Sequence, residues 1–196
     1  MLRRALAWTA AVLAGLLLGL GSGWATLVVG ASNFGEDIGA WHYNRAAGSE
    51  AAGPYTRAII AKEALLALSA REARYYMLSQ DDQRQPLRES CVYELAGHAI
   101  DARWWSVTLY ADDGFLARND DHAASVDASR INVNPDGTWR ARIAPVRGDA
   151  EYWLSSRDAR RDFTLTLRVY NPDRDFEATS DTLPTLTRVS CSGGGA

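Results

Sequence analysis

No charged residue occurs from Ala5 to Phe34, and Arg3-Arg4 stand close before that run. This constrains the chain more than any other feature, because about 20 consecutive apolar residues suffice to cross a bilayer as a helix. The densest part is Leu6 to Leu20, and Trp24 to Val29 continues it. Basic residues before the run and none just after it predict a cytoplasmic N-terminus and a chain that continues outside. The expectation is a single-pass anchor over residues 1–34 in the inner (cytoplasmic) membrane, with Trp24 at the outer interface. A cleaved signal peptide is the competing reading, with Gly21, Ser22, Gly23 and Ala25 as small residues for a cleavage site. The apolar residues that continue past that site favour a retained anchor. Either way, residues from about Ser32 onward lie outside the cytoplasm.

Cys91 and Cys191 are the only cysteines. In an oxidising compartment two cysteines usually pair, and one connectivity exists. Cys91 opens the strand-like run Cys91-Val92-Tyr93-Glu94-Leu95, and Cys191 closes Thr187-Arg188-Val189-Ser190-Cys191. A bond between them ties the C-terminal strand to the middle of the fold. A metal site would need more ligands than two cysteines and scattered histidines, and a nucleophilic cysteine would need a histidine partner that sequence cannot locate.

Residues 35–52, with Trp41-His42-Tyr43-Asn44, read as a linker leaving the membrane. Pro54 to Arg74 reads as a helix that packs on a sheet: Gly53-Pro54 is a start signal, and Tyr55, Ile59, Leu66 and Ala70 fall near helical spacing. From Ala73 the period changes to two. Strands are expected at 74–79, 91–96, 103–110, 130–133, 138–143, 153–154, 162–170 and 187–191, the last long one stopped by Asn171-Pro172. Asn134-Pro135-Asp136-Gly137 is a turn between two of them. Residues 119–129 read as a polar loop and 192–196 as a flexible tail. Many short strands after one helix predict a mainly β fold over residues 53–191: an antiparallel, jelly-roll-like β-sandwich with one packed α-helix.

Two strands alternate cleanly. Trp105, Val107 and Leu109 face a core, while Trp104, Ser106, Thr108 and Tyr110 face the other way. Phe163, Leu165, Leu167 and Val169 point inward, and Thr164, Thr166, Arg168 and Tyr170 outward.

The ordered motifs carry a resemblance. They include Pro54-Tyr55-Thr56-Arg57-Ala58, Cys91-Val92-Tyr93, Arg103-Trp104-Trp105-Ser106-Val107-Thr108-Leu109-Tyr110, Asp113-Gly114-Phe115-Leu116 and Thr164-Leu165-Thr166-Leu167-Arg168-Val169-Tyr170-Asn171-Pro172. Together they resemble a bacterial envelope family of domains of unknown function. Its members stand alone behind a membrane segment or form the C-terminal half of two-domain proteins. The resemblance covers roughly Gly53 to Cys191. It implies a β-sandwich and supplies no activity, cofactor or catalytic residue.

The residues themselves offer little chemistry. His42, His98 and His122 form no metal-binding pattern. His98 with Asp101 could be a base and its orienter, but a turn hydrogen bond is the plainer reading. Asp112-Asp113 and Asp120-Asp121 read as turn chemistry, since the ligand spacing of a calcium loop is missing. No cofactor or metal is expected. A net charge of -3 gives no footprint for nucleic acid.

The best candidate site is the outward face of the two long strands: Trp104, Tyr110, Arg168 and Tyr170, joined by Arg103 and Tyr93 if those strands are neighbours. Aromatic rings stack on sugars, and Arg grips carboxylate or phosphate with two prongs. The plain alternative packs Trp104 and Tyr110 under the helix and gives Arg168 a structural ion pair. The expected function is a membrane-anchored, non-catalytic binding or structural module of the envelope. Its partners would be the bilayer and an envelope protein or glycan. An envelope hydrolase, for instance a carbohydrate-active one, and a subunit of an envelope assembly are the alternatives.

Overall fold

The computed structural model describes residues 2–29, 35–45, 47–49, 52–62 and 68–192. Helix α1, Leu2–Val29, has 28 residues, and its stretch Arg3–Thr26 is long and apolar enough to cross a membrane. None of that stretch is buried against the rest of the protein. Trp8 and Trp24 are exposed on it.

The rest is mainly β, in two sheets. The first contains β1 (Glu36–Ile38), β2 (Trp41–Tyr43), β3 (Ala73–Leu78), β5 (Ala102–Tyr110), β6 (Ser125–Asp127) and β9 (Thr164–Pro172). Its order is β1-β2-β3-β9-β5-β6, antiparallel throughout. The second contains β4 (Cys91–His98), β7 (Thr138–Ala144), β8 (Trp153–Ser155) and β10 (Thr185–Cys191), in the order β10-β4-β7-β8. Only β7 and β8 run parallel. The six-and-four division does not reproduce an eight-strand jelly roll strand for strand.

The sheets meet through their apolar faces. Tyr76, Leu78, Val107, Leu109, Leu165 and Leu167 come from one, and Tyr93, Leu95, Ile143 and Leu154 from the other, all fully buried. Trp105 and Trp139 stack across the interface with ring centroids 4.9 Å apart. Tyr93 meets Phe163 edge-on at 6.0 Å. The clean alternation along β5 and β9 therefore does select a core face. The Cys91–Cys191 disulfide forms, and it joins directly opposed residues of β4 and β10.

Several expectations need correction. Residues 35–52 are more than a linker: β1 and β2 form a hairpin across Gly39 and extend the larger sheet. Trp41 anchors it, buried, with its indole N–H donating to the Pro184 carbonyl at 2.6 Å. Helix α2 does start at Pro54, with the Gly53 carbonyl accepting the Arg57 N–H at 3.0 Å. Its described part ends at Lys62, residues 63–67 lie outside the described ones, and Ala73 already belongs to β3. Its described part touches α1.

Within the expected polar loop, Ser125–Asp127 pairs with β5 as β6. The Asn134–Gly137 turn forms, with the Asn134 N–H donating to the Thr138 carbonyl at 2.8 Å and Gly137 at φ 82°. Residues 130–133 are not a strand. The stop at Asn171-Pro172 acts late. Asn171 adopts φ 43° and donates its N–H to Glu72, and the ladder closes with Pro172 opposite Ala102. Ser192 is not a free tail either: its N–H and hydroxyl both donate to the Ser90 carbonyl at 2.9 Å, and residues 193–196 lie outside the described ones.

Candidate functional site

Neighbouring strands of equal period put residues two apart on one face in transverse rows. β9 lies between β3 and β5, so the outward residues of β5 and β9 do share a surface. One row pairs Ala73, Tyr170 and Trp104. The next sets Tyr75, Arg168, Ser106 and Asp127 side by side. A third holds Met77, Thr166, Thr108 and Ser125, and Thr164 faces Tyr110 beyond it.

Four of the candidate residues come together there. Trp104 and Tyr170 are direct cross-strand partners with ring centroids 5.4 Å apart and planes tilted by 49°. The Trp104 indole N–H donates to Ser129 Oγ at 2.9 Å, which fixes the ring. Arg168 reaches along the sheet to Tyr110, donating from Nη2 to the phenol oxygen at 2.5 Å, with the guanidinium 5.4 Å from the ring centroid. This bridge spans the Thr166–Thr108 pair, and Thr166 is buried beneath it. Trp104, Tyr110, Arg168 and Tyr170 are each half-buried.

The charge of Arg168 is not neutralised within the fold. Among the described residues it makes no ion pair with a carboxylate. Asp127, in the same row, instead accepts the Ser129 N–H at 2.9 Å and meets Arg130 Nε at 3.3 Å. A cation held by an aromatic ring and a phenol retains donors for an external carboxylate or phosphate.

Two expected members fall elsewhere. Arg103 has the parity of Trp105, so it lies on the opposite side of β5, exposed near the strand's start. Tyr93 is a core residue of the other sheet, its hydroxyl accepting the Arg88 N–H at 2.8 Å. Burial pushes that hydroxyl above its ordinary pKa. Neither belongs to the cluster, whereas Tyr75 and Thr108 join it by register alone. The ordering of β3 beside β9 is a long-range fact without a local sequence signal.

The other candidates resolve into structural roles. His42 pairs with Asp37 at 2.9 Å across the β1–β2 hairpin. His98 makes no bond to Asp101 among the described residues; its carbonyl accepts the Trp139 indole N–H at 2.8 Å. Asp113 caps its own turn through the Phe115 N–H at 3.0 Å. Asp121 is gripped by both prongs of Arg157, at 2.9 and 2.6 Å, and its pKa is lowered chiefly by that contact. Among the described residues no three His, Cys, Asp or Glu side chains gather to hold a metal ion. A cleft near Glu89, Arg118 and Arg160 is also lined by Asp113 and Asp158; its Glu89 carboxylate accepts the N–H groups of Asp158 and Arg160 at 3.0 and 2.9 Å.

The fold and this face define a β-sandwich domain carrying a half-buried aromatic–arginine surface. The chain belongs to the DUF1214 family, proteins of unknown function, whose model matches residues 72–174. That match takes in β3 through β9 and hence all four clustered residues. The VPA0106 protein from Vibrio parahaemolyticus has a similar structure, with a TM-score of 0.63 at 21% identity, covering 88% of this chain and 44% of that one. An uncharacterized protein from Burkholderia cenocepacia aligns with a TM-score of 0.46 at 17% identity, over 60% of this chain and 29% of that one. The chain thus spans less than half the length of either. No curated protein matches it.

Proposed function

We propose that this protein is a membrane-anchored, non-catalytic binding module whose ligand is a glycan bearing a carboxylate. In this reading α1 stays in the inner membrane with the N-terminus in the cytoplasm, and the sandwich works in the extracytoplasmic space. The apolar helix with Arg3-Arg4 before it supports the anchor, and the disulfide supports an oxidising compartment.

The observation that carries the ligand class is Arg168. Its guanidinium is held over Tyr110 with no carboxylate paired to it among the described residues, and Arg168 stands in the row next to the Trp104–Tyr170 ring pair. Rings suit sugar faces and a forked cation suits a carboxylate, so the combination selects an acidic sugar.

The test is a thermal-shift screen of the full chain in detergent against neutral and uronic-acid oligosaccharides. The reading expects stabilisation by the acidic set, lost in Arg168→Ala and Trp104→Ala variants that remain folded. Equal shifts from neutral and acidic sugars, or shifts that survive Arg168→Ala, would refute it.

A further inference from the structure

The outer face of the smaller sheet holds a second arginine whose charge nothing answers. Arg142 points outward from the middle of β7, with Glu94 of β4 opposite it on one side and Trp153 of β8 on the other. A cross-strand pair of this kind is placed to form an ion pair. It does not form. The Glu94 carboxylate leans two pairs along the ladder, to the next residue on the same face, and accepts Arg140 Nη1 at 2.7 Å. Arg142 Nε is left buried with no hydrogen-bond partner, and among the described residues Arg142 makes no ion pair.

This guanidinium lines a cleft of about 380 Å³. Asn132, Asn134 and Tyr152 line it, together with Val92 and the exposed Val189. The Tyr152 hydroxyl is already committed, accepting the Asn132 N–H at 2.9 Å. A buried donor without an acceptor is costly, and an acceptor brought from outside removes that cost.

We infer that this cleft is a binding site for a small organic monocarboxylate, with Arg142 as the two-pronged anchor and Val92 and Val189 receiving the apolar body. Arg140 is paired with Glu94 at 2.7 Å, so Arg142 is the cation of this cleft that makes no ion pair among the described residues. Glu94 and Glu151 border the same cleft, so a phosphate dianion meets repulsion that a single carboxylate largely escapes. The site lies on the other sheet from Arg168 and stands or falls independently of the glycan reading.

The experiment is calorimetric titration of the full chain in detergent with benzoate, hexanoate and inorganic phosphate. The wild type is expected to bind benzoate or hexanoate saturably and phosphate more weakly. Arg142→Gln is expected to abolish the heat. Arg142→Lys keeps the charge but loses the fork, and should weaken binding by about tenfold or more. Absence of saturable carboxylate binding to the wild type overturns the inference. So does an isotherm unaltered in a folded Arg142→Lys variant, or phosphate binding tighter than either carboxylate.

Discussion

Gly97 and Trp139 stand opposite each other on β4 and β7, and the indole fills the space a side chain at residue 97 would need. A Cβ built on Gly97 would lie 2.7 Å from the Trp139 ring. The same indole stacks on Trp105 of the facing sheet, so this close approach sets the distance between sheets. Gly97→Ala must push Trp139 into a close-packed core, at a cost of about 1–3 kcal/mol. Urea unfolding should show a lower midpoint with an unchanged slope.

The disulfide closes a separation of 100 residues and fastens the edge strand β10. Cys191→Ser should cost about 2–4 kcal/mol, and Cys91→Ser as much. The double variant should lose no more than either single one, since all three remove the same bond. Denaturant titrations with and without reductant check this, because reduced wild type should fall to the level of the variants.

Asp81 is fully buried, and among the described residues it pairs with Arg188 on β10 alone. Its other oxygen accepts the N–H groups of Gln83 and Gln85 at 3.0 and 2.9 Å. Arg188→Met strands a buried carboxylate and should cost about 3–5 kcal/mol. Adding Asp81→Asn should recover part of that loss, a coupling that a double-mutant cycle measures directly.

Tyr76 is fully buried against Tyr43, with ring centroids 4.9 Å apart, and among the described residues its hydroxyl has no hydrogen-bond partner at close range, the nearby Arg74 opposing the effect of burial only in part. Burial pushes that hydroxyl up to about 12. The core holds the neutral form, so the contribution of Tyr76 is complete below the unfolded value near pH 10 and is lost as pH rises toward 12. Tyr76→Phe removes an orphaned polar atom. It should raise stability at pH 7 by about 1 kcal/mol and flatten the loss between pH 10 and 12. Thermal melts of both proteins across that range decide it.

What could be read from the chain followed the strength of each local period. β5 and β9 alternate over nine residues each, and Leu165, Leu167, Val107 and Leu109 fall in the core as that alternation requires. β1, β2 and β6 have three residues apiece, too few to show a period; β2 and β6 line the longer β3 and β5, and β1 closes a hairpin on β2. Arg103 was separable from Trp104 in principle, since adjacent strand residues face opposite ways. Grouping it with the site set chemistry above parity. The union of Trp104, Tyr110, Arg168 and Tyr170 rested on β5 and β9 being neighbours, which is a fact of register rather than of composition. The unanswered charge of Arg142 had no local signal at all, because it depends on which way the Glu94 side chain leans.

The account rests most heavily on the aromatic–arginine face as a ligand surface. The most direct measurement is an amide and indole chemical-shift map of the isotopically labelled full chain as an acidic oligosaccharide is added. The account predicts saturable shifts concentrated on Arg168, Tyr110, Tyr170 and the Trp104 indole N–H, where the bond to Ser129 would report any reorientation of the ring. Saturable shifts centred elsewhere, or none at those residues under conditions where the oligosaccharide binds, would contradict it.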